Sequence, residues 1–147
     1  MYLENNKLDI IFGSRYQKNS GSEDDTIITL LGNKIFSIMG TILFSLRIND
    51  ILYTYVLGKT KRARILNLKF KDFRFCIELP IKAKKKGFKL VNSKSYERSR
   101  IGGKKKVNAL KDGFLILIEI VTLFFRYKIF RNQTLRNRRW RIYAAWY

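Results

Sequence analysis

Between residues 114 and 125 the chain carries only two polar side chains, Glu119 and Thr122. A run this apolar has to leave water, either for a protein core or for lipid. As a helix its twelve residues extend roughly 18 Å, against a bilayer hydrocarbon core of about 30 Å, so it does not span a membrane as it stands. Two destinations remain, a core helix or a helix lying in the plane of a membrane interface. The residues that follow support the second: Arg126, Lys128, Arg131, Arg136, Arg138, Arg139 and Arg141 alternate with Tyr127, Phe130, Trp140, Tyr143 and Trp146. Basic side chains suit anionic headgroups, and Trp and Tyr suit the headgroup level.

Charge narrows the partner. The 147 residues include 31 Lys and Arg against 11 Asp and Glu, a net charge of +20. That calls for nucleic acid, an anionic membrane surface or a phosphorylated substrate. The bases are concentrated: residues 82–106 hold eleven against the single acid Glu97, and residues 126–141 hold seven against none. With 46% hydrophobic and 14% aromatic residues the chain is no disordered basic tail. It has no His and one Cys, which argues against a zinc site, an internal disulfide, and Ser-His or Cys-His nucleophiles. A reducing compartment is the default, and proton transfer would fall to Asp, Glu, Tyr or Lys.

Along the chain, residues 1–7 are polar and lead into no apolar run of the signal-peptide kind. Asp9-Ile10-Ile11-Phe12-Gly13-Ser14-Arg15 reads as a buried strand that delivers Ser14 and Arg15 to a loop. Residues 17–25 read as a loop, and Asp24 or Asp25 as the cap of the next helix. There Ile27, Leu30, Leu31, Phe36, Ile38, Met39, Ile42, Leu43 and Leu46 recur at helical spacing. The stripe is broad, which predicts that most of this helix is buried. Residues 51–57 are β-branched and aromatic and read as extended, and residues 59–64 as a basic turn. A helix is expected from Glu78 to Lys86, with Pro80 in its first turn and Gly87 as its stop, then a short strand over 88–91. Residues 96–106 form a basic loop containing glycine, ahead of the apolar helix over 112–130.

Two groups of residues suggest chemistry. Arg100-Ile101-Gly102-Gly103-Lys104-Lys105-Lys106 sets a guanidinium, two glycines and three ammoniums side by side, a composition that favours phosphate. It is not a Walker loop, because the spacing differs and no Ser or Thr follows the Lys. The acids Asp9, Asp50, Glu78, Glu97 and Asp112 fall at element ends, where a lone acid is ordinarily a cap or an ion-pair partner.

In order and spacing, several landmarks resemble a known family: the strand ending in Gly13-Ser14-Arg15, Gly32-Asn33 in a helix, Asp50 before Tyr53-Thr54-Tyr55, Phe75-Cys76-Ile77-Glu78, Tyr96-Glu97 followed by Arg100 and Gly103, and Lys106 followed by Asp112-Gly113. From about residue 8 to about residue 126 the chain is similar to the C-terminal half of glycosyltransferase family 2, in its polyprenyl-phosphate (dolichyl-phosphate mannosyltransferase-like) branch. The resemblance implies an α/β fold, a partial GT-A (Rossmann-like) nucleotide-sugar transferase domain over 1–112, and an apolar, basic membrane-interface helix and tail over 113–147. It implies inverting transfer of a sugar from a nucleotide-sugar to a polyprenyl phosphate by a peripheral protein at the cytoplasmic face of a membrane. By the same carry-over Asp50 is the catalytic candidate that positions the acceptor. Arg15, Arg100, Lys105 and Lys106 contact phosphate, and Asp9, Glu78, Glu97 and Asp112 support them. The acceptor is already an anion, so a strong base is not required.

The chain also departs from the family. Lys105 stands where the family has Ser, and Tyr53-Thr54-Tyr55 replaces Gly-Phe-Arg. The family's nucleotide-binding strands and its Asp-x-Asp metal motif have no counterpart before Asp9, and Asp24-Asp25 do not replace them. The resemblance therefore implies a missing N-terminal half or a complementing chain, and a divalent cation, Mg or Mn, whose ligands are not in this chain. Apolar sheet edges would be exposed without those strands. Two other readings compete. A nucleic-acid-binding module would use the Lys-rich loop with Phe70, Phe73, Phe75 and Tyr96, but leaves the 114–125 run unexplained. A non-catalytic membrane-surface protein would need only that run and the basic tail.

Overall fold

The computed structural model describes residues 7–103 and 108–143. In chain order they form β1 (Ile10–Ser14), β2 (Gly21–Ser22), α1 (Ile27–Phe44), β3 (Val56–Gly58), α2 (Thr60–Ile65), α3 (Phe75–Lys85), β4 (Leu90–Lys94), β5 (Tyr96–Glu97) and α4 (Ala109–Tyr143). The fold class is mixed α/β, as the sequence implies, with a small sheet and helices packed beside it.

β1 is buried along its whole length because it has a neighbour on each edge. It pairs antiparallel with β3 (Ile10 opposite Gly58, Phe12 opposite Val56) and parallel with β4 (Ile10 opposite Leu90, Ser14 opposite Lys94). β2 and β5 form a separate parallel pair, Gly21 with Tyr96 and Ser22 with Glu97. Ile10 and Phe12 enter one core with Leu46, Ile48 and Ile51, with Ile77 and Ile81 of α3, and with Ile116, Ile120 and Leu123 of α4. Gly13 lets Tyr53 and Tyr55 cross β1 closely, since a Cβ there would lie 3.0 Å from Tyr53 Cε1 and from the Tyr55 carbonyl oxygen.

Only part of the apolar run enters the core. Ile116, Ile120 and Leu123 are buried in the core, while Phe114, Leu117, Ile118, Val121 and Phe125 form an exposed stripe on the same helix. α4 begins at Ala109, so the division drawn at residue 112 falls within its first turn. Asn108 caps it by accepting the Lys111 N–H at 3.1 Å, and the Asp112 carboxylate accepts the Asn108 N–H at 2.8 Å.

α1 reverses the expectation of burial. Its inward residues are Asn33, Ser37 and Gly40, and its aliphatic side chains point out, with Ile28 68%, Ile35 55% and Ile42 74% exposed. The cause is the chain that follows. Ser45 adopts the left-handed conformation (φ 55°) and ends the helix, and residues 46–52 run back along its inner face. That segment has no ladder partner, so its N–H groups need acceptors. Ser37 Oγ accepts from Ile51 at 3.2 Å and Asn33 Oδ1 from Leu52 at 3.0 Å. Gly40 leaves room for the Leu46 and Ile51 side chains, which would stand 3.2 and 3.0 Å from a Cβ there.

Several boundaries differ from expectation. Thr26, not Asp24 or Asp25, is the N-cap of α1, in a capping box with Thr29. The basic turn over 59–64 is largely the short helix α2, and the extended stretch over 51–57 becomes strand only from Val56. α3 starts at Phe75, three residues before Glu78, so Pro80 sits inside it.

Candidate functional site: a buried arginine cage beneath an amphiphilic cleft

Arg15 leaves the end of β1 into a cage of carboxylates. Its backbone N–H and its Nε both donate to Asp50 Oδ2 at 2.8 Å, and Nη2 donates to Asp50 Oδ1 at 2.9 Å. Nη1 donates to Glu97 Oε2 at 2.8 Å and lies 3.6 Å from Asp25 Oδ2. Tyr53 covers the guanidinium, its ring centroid 4.5 Å from the central carbon. Asn33 reaches in from α1, its amide donating to Asp50 and, at 3.2 Å, to the Tyr16 hydroxyl. Tyr16 donates to Asp25 at 2.7 Å, and Ser22 donates to Glu97 at 2.6 Å. One network thus joins β1, β2, α1, β5 and the return after α1.

Asp50 has no solvent exposure and the Arg15 side chain 10%. A bidentate guanidinium–carboxylate pair withstands such burial because each partner offsets the other's desolvation. Burial alone would lower the Arg15 pKa, but hydrogen bonds and charge from Asp50, with Glu97 behind, raise it above its ordinary value. Burial and the bond to Asp25 push the Tyr16 hydroxyl up to about 12. Tyr16 therefore stays a neutral donor at physiological pH.

Above the cage lies a cleft of about 570 Å³ between α1 and the start of α4. Its polar end is built from Arg15, Asn33, Glu97 and the Asp24–Arg100 ion pair (2.9 Å). Its apolar walls are Ile28 and Phe36 of α1 and Leu110, Phe114 and Leu117 of α4. Two guanidiniums and the four carboxylates of Asp24, Asp25, Glu97 and Asp112 line it. The described cleft is thus locally acidic within a strongly basic chain, and its carboxylates suit hydroxyl donors. Among the described residues no three His, Cys, Asp or Glu side chains converge on a point that could hold a metal ion. The carboxylates that approach most closely are turned onto Arg15, so the cleft does not fit a divalent cation.

The structure brings together Arg15, Asp50, Glu97, Arg100 and Asp112 of the sequence candidates. Asp9 and Glu78 lie elsewhere. Asp9 accepts from the Lys89 N–H at 2.9 Å and pairs with Arg62 at 3.1 Å, tying β1 to β4 and α2. Glu78 accepts the Lys69 and Phe70 N–H groups and pairs with Lys82 at 2.6 Å. Burial would raise its carboxyl, but Lys82 and the two N–H groups more than offset that and hold it below the ordinary value. Lys105, Lys106 and the side chains of the basic tail over 131–146 lie outside the described residues. Sequence reasoning did not single out Asn33, Tyr16, Asp25 or Tyr53 as site residues. Asn33 had a signal, a carboxamide in a largely apolar helix. The chain matches no known protein-family model, no curated protein and no solved structure.

Proposed function

We propose that this chain is the acceptor side of a membrane-associated glycosyltransferase, which moves a sugar from a nucleotide-sugar onto a polyprenyl phosphate at the cytoplasmic membrane face. The observation that carries the reading is the amphiphilic cleft. A polar end set against apolar walls suits a ligand with a hydroxylated head, such as a sugar, joined to a hydrocarbon tail. Its mouth adjoins the outward aliphatic faces of α1 and α4, the surface an amphiphile would reach from a bilayer. α1 is long and apolar enough to cross a membrane by composition, but its inner face is bonded to the returning chain, which favours a position in the interface.

In this reading the acceptor phosphate oxygen attacks the anomeric carbon, and the bond from that carbon to the nucleotide's phosphate oxygen breaks. No proton need be removed from an acceptor already ionised. Arg15 and Asp50 act beneath the ligand, fixing Glu97 for hydroxyl groups. Arg100 and the lysines after it meet the phosphate. The nucleotide and its Mg or Mn belong to an N-terminal segment or a complementing chain. β3, an edge strand with Leu57 exposed and Tyr55 exposed just before it, offers such a segment a place to pair.

The test is co-sedimentation of the full chain with phosphatidylcholine vesicles, with and without polyprenyl phosphate. Polyprenyl phosphate is expected to strengthen binding several-fold, and Arg100→Ala or Lys106→Ala to abolish most of that gain. Equal binding to both vesicles, or a gain unchanged in both variants, would sink the acceptor role. A hairpin-specific RNA affinity without vesicle binding would favour the nucleic-acid reading instead.

A further inference from the structure

The cleft over the arginine cage occupies one flank of α1. The opposite flank faces the returning chain and forms a second groove of about 600 Å³, within the range of about 300–1,000 Å³ usual for ligand sites. Its walls are Leu30, Ile38 and Ile42 on α1, and Leu46 lies against it from the return. The charged residues lining it are Lys34 and Arg47, and no carboxylate does. Among the described residues neither cation is in a salt bridge. The two flanks thus differ in sign, carboxylate-rich toward α4 and purely cationic toward the return. Between them runs the exposed aliphatic crest of α1.

We infer that the second groove binds an anionic phospholipid, with an acyl chain along Leu30, Ile38 and Ile42 and the phosphate at Lys34 and Arg47. The inference rests on the membrane reading of the α1 crest and adds a lipid site separate from the acceptor cleft. Charge complementarity selects the occupant. An apolar channel with two cations and no acid favours an anionic amphiphile over a zwitterionic one, and over a neutral protein segment. The site would dock α1 in a set orientation, with the acceptor cleft open to the same leaflet.

The experiment compares binding of the full chain to phosphatidylcholine vesicles and to vesicles that also contain phosphatidylglycerol, both without polyprenyl phosphate. The Lys34→Gln/Arg47→Gln variant is set against Lys61→Gln/Arg64→Gln, which removes the same charge from the exposed helix α2. The groove pair is expected to lose about tenfold of the preference for phosphatidylglycerol, and the control pair less than about twofold. Ile38→Trp, which fills the groove at a half-exposed position and keeps both charges, is expected to lose the preference as well. Equal losses in the two pairs would mean a diffuse basic field and overturn the site. So would vesicle binding that none of the variants changes, or a concentration-dependent dimer that Ile38→Trp abolishes. A wild-type chain that binds neither vesicle would instead remove the membrane reading on which the site rests.

Discussion

Replacing Arg15 with Met removes the positive centre of the cage and keeps most of the side chain's bulk. Asp50 would keep the Asn33 amide and the residue-15 backbone N–H as donors, but lose both guanidinium bonds, at 2.8 and 2.9 Å, while itself fully buried. Glu97 would lose its ion pair and keep Ser22. Removing one partner of a buried pair typically costs about 3–5 kcal/mol, because the other charge is left uncompensated. Against a total stability of about 5–15 kcal/mol that is a large fraction. With a urea dependence near 2 kcal/mol/M, the unfolding midpoint should fall by about 1.5–2.5 M, read by far-ultraviolet circular dichroism. Arg62→Met is the internal control. Arg62 also pairs with a carboxylate, Asp9, but its side chain is 50% exposed, so a loss of about 0–1 kcal/mol is expected. Equal midpoints for the two variants would refute the argument that Arg15 and Asp50 depend on each other for burial.

Gly13→Ala should cost about 1–3 kcal/mol, a fall of about 3–9 °C in melting temperature, because the new Cβ meets Tyr53 and the Tyr55 backbone at 3.0 Å. Gly102→Ala, with open space around it, should stay within about 0.5 kcal/mol of wild type, and a Gly13→Ala melt no lower than that would refute the close crossing. Glu119 on α4 has its carboxyl raised by burial and by Glu78, against the opposing pull of Arg126, Arg74 and Lys82. A carboxyl raised in the folded state weakens the fold only above its unfolded value, so the cost sets in as pH rises past about 4.3. Glu119→Gln should therefore have a higher urea midpoint than wild type at pH 7, and the gap should close by about pH 4. A gap of the same size at both pH values would refute that account.

Part of the site is written locally. A continuous apolar strand ending in Gly-Ser-Arg marks where Arg15 emerges, and Asp50 and Glu97 stand out as acids at element ends. Their meeting is not local, since Asp50 lies 35 residues from Arg15 and Glu97 82 residues. β2 and β5 are two residues each and carry no periodicity, so the pairing that brings Ser22 to Glu97 has no sequence signal of its own. α2, six residues long, is similarly too short to announce itself. α3 began earlier than expected because Glu78 serves the N–H groups of the preceding loop rather than its own helix end.

The sequence by itself determined the class of the fold, the places of β1 and the long helices, the strong positive charge, and the presence of an apolar stripe on α1 and on α4. Only the tertiary structure decided which way α1 faces. A helical repeat locates a stripe but does not say whether protein or surroundings will cover it. Here the buried charge of Asp50 and the unpaired N–H groups of the returning chain required polar partners, and Asn33 and Ser37 supply them. That demand outweighed the hydrophobic gain of turning the aliphatic side chains inward, because an unsatisfied buried charge or N–H costs more than an exposed isoleucine.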